Sequence, residues 1–396
     1  MNTFNNQSDQ AWLRKLSQDD QLGAFVFIGF GILALLLVNF GFADLYENIL
    51  NFKIPLNFVE KDFTFSHFIA DGLLTLFFLM AGLELKHAFT VGSLSKVSAA
   101  IVPVFAATFG MFFSGFIYYL LNFSNSDTSK GWPIPISTDV ALAIAVLSIA
   151  LPNASISLRA FLLAVAVVND IGAISVISIV FSKNVNFIYI GFTLILFMIY
   201  IFIQKWKSFK LWILLPLGIL TWYFAYKTGI HPTIAGVILG LLTENKGSGI
   251  QNIANKLEDK IRPITVLIVL PLFSFSSLGI DLSKFDLNSD LGSNLSIGII
   301  FGLIIGQPLG ILVGSFIAIK LFKGKLPTGL SWSDLVSIGF LAGIGFTVAL
   351  LISELTFEGL SLELSKISVV LASLISALIA SALLRVSRKY NRTSTI

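Results

Sequence analysis

The stretch Pro133-Ile-Pro-Ile-Ser-Thr-Asp139 interrupts an apolar segment, near residues 133–151, that is otherwise about long enough to cross a lipid bilayer. A second stretch, Gly339-Phe-Leu-Ala-Gly-Ile-Gly-Phe-Thr347, places three glycines in seven positions of the segment near 334–354. Proline removes a backbone hydrogen-bond donor and glycine adds backbone freedom, so both stretches predict broken helices. For either break alone, a kink at a close helix contact is an equally good interpretation.

The composition of the chain is that of a membrane protein. Of 396 residues, 56% are hydrophobic and only 12% are charged, whereas soluble domains are usually about 25% charged. There is no cysteine, which excludes disulfides, thiolate catalysis and cysteine-bound metals, and three scattered histidines are too few for a histidine metal site. The net charge of +4 does not indicate nucleic acid, because the basic residues lie between apolar runs.

Apolar runs of about 20 residues predict twelve spans, near 22–40, 67–85, 97–121, 133–151, 157–181, 187–203, 211–227, 230–243, 262–280, 295–320, 334–354 and 366–385. We therefore predict an N-terminal tail over 1–21, an all-α transmembrane domain over 22–385 and a C-terminal tail over 386–396. Most of the 26 lysine and arginine residues lie in the two tails and the even-numbered loops. This asymmetry predicts that both tails are cytoplasmic. The first run lacks a cleavage site and is expected to remain as a helix.

The carboxylate of Asp139 lies inside a predicted span, where a charge costs roughly 2.5–3.5 kcal/mol on insertion scales. Asp139 follows Ser137 and Thr138 at the first break, so carboxylate, hydroxyl and freed carbonyl oxygens are all available there. These are the hard oxygen donors that an alkali cation needs. Asp139 also has the position of an N-cap for the second half-helix, and both roles can hold together.

Asp170 is the deepest acid of the chain, within the apolar stretch 163–173. Burial disfavours a charged carboxylate, so this group can hold either H+ or Na+, and that competition is the chemistry of an ion exchanger. A hydrogen-bonded packing aspartate is the alternative. Two broken spans in comparable halves, together with these acids, favour a transporter built from inverted repeats, with half-helix ends at the ion.

Three further polar residues lie at span edges. Asp71 is interpreted either as a bond across helices or as part of a vestibule. Glu84, beside Lys86 and His87, is interpreted as a solvated surface charge, with a role at the cytoplasmic mouth as the alternative. His231, at the start of the eighth span, is interpreted as a capping or packing histidine rather than a pH sensor.

Six motifs carry a family resemblance: FFLMAGLELK over 77–86, STD over 137–139, VNDIGAI over 168–174, GIHPTIAGV over 229–237, GQPLGI over 306–311 and GIGFT over 343–347. With them the chain resembles NhaA-type sodium/proton antiporters over nearly its whole length. The resemblance implies twelve helices with the fourth and eleventh interrupted and crossed, and an ion site on the fifth beside them. Thr138, Asp139 and Asp170 match the family's site positions.

The resemblance also implies the setting of the protein. Na+, and Li+ as well, would be exchanged for H+ without a cofactor, in a bacterial inner membrane. Lipid is the expected surrounding, no nucleic acid partner is expected, and both a monomer and a homodimer remain open. Glu84 and Glu258 match acids linked to pH response in the family. Nearby, the family has ionisable residues of other types at three positions, which are here Ala88, Asp259 and Arg262. We therefore predict that activation at alkaline pH is shifted or weak.

Two neutral amides depart from the family pattern. Asn169 stands where the family usually has an aspartate, and Gln307 stands where it has a lysine. Losing one charge alone would leave its partner in a low-dielectric site at about 3–5 kcal/mol, so the double change is interpreted as coordinated, with a hydrogen bond between the amides still open to them. With one titrating group fewer, we predict about one proton per Na+ and electroneutral exchange.

Three other classes of protein are weighed against this interpretation. An intramembrane aspartyl protease would need a GxGD context, which neither Asp139 nor Asp170 has. A sodium-coupled symporter of an organic anion would favour a basic cavity, and no basic residue is evident at depth. A passive channel is disfavoured because a buried titratable aspartate binds too selectively for fast conduction.

Overall fold

The computed structural model describes residues 20–55, 63–92, 94–95, 97–182, 185–205, 211–245, 252–286 and 290–393. The predicted N-terminal tail, apart from its last two residues, lies outside this part of the chain, as do the last three residues of the C-terminal tail. Every regular element in the described residues is helical. Within them, extended backbone pairs only at an isolated antiparallel bridge between Lys53 and Thr64.

The helices, numbered in chain order, are α1 (Asp20–Asn39), α2 (Ala43–Leu50), α3 (Phe65–Thr90), α4 (Val97–Asn122), α5 (Val140–Ala150), α6 (Ile156–Val180), α7 (Phe187–Ile203), α8 (Leu214–Lys227), α9 (Thr233–Leu242), α10 (Ile253–Ile264, continued by Thr265–Val269 and Leu270–Ser277), α11 (Asn294–Phe322), α12 (Trp332–Ala342), α13 (Thr347–Thr356) and α14 (Gly359–Thr393). Helical turns at Ser126–Ser129 and Ile134–Ile136 precede α5. α14 continues past the predicted end of the domain at residue 385.

Apolar helices dominate the fold, as predicted. Among the described residues, seven are long and apolar enough to cross a membrane: α1, α3, α4, α6, α10, α11 and α14. Two pairs meet the same criterion only together, because each is bent at a short break: the turns before α5 with α5, by 53°, and α12 with α13, by 45°. α7, α8 and α9 are shorter apolar helices.

The chain divides into two compact units. Unit 1 takes the chain up to Thr90 and the segment Ile177–Gly279, and it contains α1–α3 and α7–α10. Unit 2 takes Val91–Val176 and the chain from Ile280 onward, and it contains α4, α5, most of α6 and α11–α14. Both breaks therefore belong to unit 2.

In unit 1, α3 and α9 approach closely because glycines face each other. A Cβ atom added at Gly240 would lie 2.6 Å from the carbonyl oxygen of Leu79, and one added at Gly82 would collide with the backbone of Val237. α2 is attached to the end of α10 by Tyr46, whose hydroxyl contacts the carbonyl oxygens of Phe275 at 2.9 Å and Ser276 at 2.8 Å.

In unit 2, a glycine stripe with a spacing of four residues sets α11 directly against α4. A Cβ atom at Gly306 would lie 2.6 Å from the Cα atom of Ser114, and those at Gly310 and Gly314 would collide with the carbonyl oxygens of Phe109 and Phe105. Residues four apart share one helix face, so the stripe lets the two backbones touch along several turns. This contact fixes the surface of α4 and α11 against which the interrupted segment packs.

Candidate functional site

The first break separates the turn Ile134–Ile136 from α5. Pro133 and Pro135 lack the N–H groups that an α-helix would use there, so the chain makes one 3-10 turn and is then extended at Ser137. Asp139 ends the break as the N-cap of α5, because its Oδ1 accepts the N–H of Leu142 at 3.0 Å. The capping role that the sequence allowed for Asp139 is present in the structure.

The second break, between α12 and α13, meets the first through Asp139. The N–H of Asp139 donates to the carbonyl oxygen of Ile344 at 2.6 Å. Its Oδ2 accepts the N–H of Thr347, the first residue of α13, at 3.2 Å. One buried carboxylate, 4% exposed, thus lies at the N-terminal ends of two half-helices, where the partial positive charges of free N–H groups favour an anion.

Thr138 joins both breaks to α6. Its hydroxyl donates to the carbonyl oxygen of Ala342, the last residue of α12, at 2.7 Å. The same hydroxyl accepts the side-chain N–H of Asn169 at 2.8 Å. Asp170 is the next residue on α6 and is half-buried. A direct bond joins Thr138 to Asn169, and Asp139 and Asp170 are the residues that follow these two in the chain.

The two amides do not bond each other, although the sequence left that bond open. Asn169 donates to Thr138 instead, and Gln307 donates its Nε2 to the carbonyl oxygen of Ile136 at 3.2 Å. The physical reason is that the extended backbone of the break offers hydroxyl and carbonyl acceptors to both helices. The side-chain carbonyl oxygens of both amides are buried without a hydrogen-bond partner.

These contacts define the chemistry that the site can support. Its polar groups are carboxylate, hydroxyl and amide oxygens held inside apolar helices, which suits a dehydrated alkali cation rather than a transition metal. Within the described residues, no group of three or more acidic or histidine side chains is placed to hold a resident metal ion.

Asp71 and His231, predicted from separate spans, lie side by side in unit 1. The Nε2 of His231 is 3.6 Å from Oδ1 of Asp71, and its Nδ1 is 2.8 Å from the hydroxyl of Thr233 at the start of α9. Asp71 lies in the π-helical segment Phe68–Leu73, and its carbonyl oxygen accepts the indole N–H of Trp222 at 2.7 Å. The structure assembles a polar contact here that neither span shows alone.

Glu84 and Glu258 also meet in unit 1, through an arginine. The Nη2 of Arg262 is 2.9 Å from Oε1 of Glu84 and 3.2 Å from Oε1 of Glu258. All three side chains are about two-thirds or more buried. Glu84 therefore bonds an arginine of α10, and its side chain is 32% exposed, so it is partly and not fully solvated.

One buried basic residue was missed in the sequence. Lys366 is 8% exposed, and its Nζ lies 2.8 Å from Oε1 of Glu354. Both residues lie at the ends of predicted spans, where a charge is easily assigned to the adjoining loop. The pairing of an acid and a base across a short connection was the signal that could have revealed them.

Comparison with known proteins gives a consistent result. The chain matches the family described as Na+/H+ antiporter 1 over residues 14–384. A relative from Arthrobacter sp. (strain FB24), described as Na+/H+ antiporter NhaA, is 34% identical over 99% of this chain and 89% of its own length. A relative from Clostridium beijerinckii, described as Na+/H+ antiporter NhaA 1, is 34% identical over 98% of both chains.

One solved structure shares the fold. It is that of the sodium proton antiporter MjNhaP1 from Methanocaldococcus jannaschii at pH 8, with a TM-score of 0.51. The match covers 91% of this chain and 96% of that one, at 16% identity. At this identity the likeness concerns the fold alone.

Proposed function

The chain belongs to the Na+/H+ antiporter 1 family, and from this premise we propose that Na+ and H+ are exchanged at Asp170, Asp139 and Thr138. The family resemblance seen in the motifs is confirmed, and the protein is a multi-pass membrane transporter and not an enzyme. The protease alternative is therefore excluded. Na+ and H+ are transported substrates, and the family uses no cofactor.

The observation that carries the proposal is the junction of the two breaks. Asp139 is bonded to the N-terminal ends of α5 and α13, and Thr138 connects the end of α12 to Asn169, the neighbour of Asp170. In the proposed cycle, the ionised Asp170 binds Na+, or Li+, from the cytoplasm with oxygen ligands from Asp139 and Thr138. After the site opens to the outside, a proton displaces the ion and returns through the membrane on the Asp170 carboxyl.

We further propose that the fold has twelve membrane spans. Seven long helices, two bent pairs and three shorter apolar helices supply the required number. The two bent pairs act as the interrupted fourth and eleventh spans of inverted repeats, whose half-helix ends face the ion. This even count places both termini on one side of the membrane, which we propose to be the cytoplasm of the bacterial cell.

The neutral amides support electroneutral exchange. Asn169 and Gln307 each bond a neutral group of the break, so neither position supplies a proton or a fixed charge to the cycle. One proton on Asp170 then balances one Na+. A net charge would be driven by about 2.3 kcal/mol per 100 mV, whereas a 1:1 cycle is insensitive to voltage.

The contacts in unit 1 support roles outside the ion site. Arg262 keeps its charge at all physiological pH values, so its bridge between Glu84 and Glu258 favours a weak pH response at the proposed cytoplasmic mouth. Asp71 and His231, which lie 3.6 Å apart, are proposed to hold α3 and α9 together beside a vestibule.

A proteoliposome assay tests the function and its stoichiometry. Inward and outward Na+ gradients are imposed with the membrane voltage clamped at two values, and proton flux is followed with a pH-sensitive dye. We expect Na+-driven proton flux that is equal at both voltages, and none with choline. Absence of Na+-driven proton flux would refute antiport, and a large sodium-driven current would refute the 1:1 cycle. Asn169→Asp combined with Gln307→Lys is measured in parallel and is expected to carry sodium-driven current.

A further inference from the structure

Glu354 and Lys366 form an ion pair inside unit 2 that has no part in the exchange described above. The Nζ of Lys366 is 2.8 Å from Oε1 of Glu354, and the two side chains are 10% and 23% exposed. Glu354 lies in the last turns of α13, and Lys366 lies near the start of α14. A buried ion pair is weak evidence for stability, because its desolvation cost is comparable to its attraction. The pair therefore requires another explanation.

The pair lies in line with the ion site on both of its helices. On α13, Glu354 follows Thr347 by seven residues, and the N–H of Thr347 bonds Asp139. On α14, Lys366 precedes Ser373 by seven residues, and the hydroxyl of Ser373 donates to the carbonyl oxygen of Gly345 at 3.1 Å. Seven residues return a helix to the same face after a rise of about 10 Å. Two independent spacings therefore place the pair about 10 Å from the second break.

A second acid offers Lys366 another place to bind. Glu363 precedes Lys366 by three residues on α14, a spacing at which side chains are neighbours. The Oε1 of Glu363 is 3.6 Å from Lys284, whereas its Oε2 is buried without a hydrogen-bond partner. An unsatisfied buried carboxylate oxygen is costly, and a neighbouring ammonium group would satisfy it. Lys366 thus has one carboxylate that it bonds and a second within reach.

We propose that Glu354 is a second cation-binding carboxylate on the route of the ion, where Na+ replaces the ammonium group of Lys366 while Lys366 moves to Glu363. Glu354 passes from one monovalent cation to another and Lys366 stays protonated, so the site formed by Glu354, Glu363 and Lys366 carries one more positive charge while Na+ is bound. Lys366 acts as an occupant that keeps Glu354 from holding Na+ tightly, so the ion leaves the protein. The proposal rests on the proposed antiport and adds a station between Asp139 and the water at this end of unit 2.

Side-specific Na+ affinity in proteoliposomes of known orientation gives the first test. In Lys366→Met, Glu354 loses its competing cation, and the apparent Na+ affinity from the side nearer the pair should rise about tenfold. A tenfold change in affinity is a small part of the interaction energy between two unit charges about 4 Å apart near a protein surface. Affinity from the other side should not change. Glu354→Gln should lower affinity on the near side only, the double variant should behave like Glu354→Gln, and Lys366→Arg should behave like the parent.

A control and a second measurement keep the proposal testable if these variants are poorly folded. Asp127→Asn removes an exposed ion pair of the same unit, 3.7 Å from Lys130, and should change neither affinity. In the unmodified protein, labelling of Lys366 by an amine reagent is followed by mass spectrometry, with the exposed Lys130, which lies outside the proposed exchange, as internal reference. Na+ should change the labelling of Lys366 relative to Lys130, and choline should not.

The outcomes separate this proposal from the proposed function. One outcome is that the parent exchanges Na+ for H+ while Lys366→Met and Lys366→Arg have the same Na+ affinity on the side nearer the pair. That result refutes the second binding site and leaves the antiport intact. Equal changes on both sides would assign the pair a structural role and also refute it. If the parent shows no exchange, labelling of Lys366 that ignores Na+ refutes the station independently, and Na+-dependent labelling supports cation binding there.

Discussion

Thr138→Val tests the junction of the breaks while nearly preserving side-chain shape. The substitution removes the hydroxyl that donates to Ala342 and accepts from Asn169, and so leaves one buried acceptor and one buried donor unsatisfied. Each such group costs about 1–3 kcal/mol, so the two together give a destabilisation of about 2–6 kcal/mol. For 396 residues the unfolding entropy is about 0.8 kcal/mol/K, so the thermal midpoint should fall by about 2–7 °C.

The assay for Thr138→Val combines thermal unfolding in detergent with Na+ affinity in proteoliposomes. We expect the affinity to fall about tenfold, as when a ligand oxygen worth about 1.4 kcal/mol is lost. Thr221→Val is the matched control, because the buried Thr221 bonds the carbonyl oxygen of Leu217 one turn earlier in its own helix, at 2.7 Å, and within the described residues makes no bond to another helix. Its cost should stay below about 1 kcal/mol. If both variants lose the same stability and the same affinity, the junction is not what organises the site.

Three further outcomes are expected. Gly310→Ala should sharply reduce folded yield, because the added Cβ meets the backbone of Phe109, whereas Gly191→Ala has nothing within 4 Å and should be neutral; equal yields on size-exclusion chromatography would contradict this packing. Lowering pH should weaken apparent Na+ affinity, by up to about tenfold per pH unit where one proton competes for Asp170, and a pH-independent affinity would contradict competition. Asn169→Asp with Gln307→Lys should add sodium-driven current that the parent lacks, measured on solid-supported membranes, and unchanged currents would leave the amides without this role.

The two breaks between bent helices were predictable because their cause is local. Pro133 and Pro135 cannot donate backbone hydrogen bonds wherever they occur, and the glycines at 343 and 345 lower the cost of leaving a helix. The burial of Asp139, which is 4% exposed, was equally visible, since a charge inside an apolar run has few explanations. Asp170, expected to be the deepest acid, is only half-buried. The capping role of Asp139 followed from its position alone.

The partners across the fold were not predictable, because they depend on how helices rotate and cross. Nothing local shows that Asp139 bonds Thr347, which lies 208 residues away. The hydrogen bond that was open to Asn169 and Gln307 does not form for the same reason. The two amides are chemically compatible, but the extended break lies within reach of both and offers better acceptors. Lys366 was missed because burial at the end of a span depends on its neighbours in space.

Asp170→Asn gives the most direct measurement of the central claim, that one carboxyl holds H+ and Na+ in turn. Purified parent, Asp170→Asn and the exposed-acid control Asp127→Asn are reconstituted at equal density, and Na+-driven proton flux is recorded. The account predicts flux in the parent and in Asp127→Asn, and none above the protein-free background in Asp170→Asn. Flux in Asp170→Asn equal to that of the parent would contradict the account.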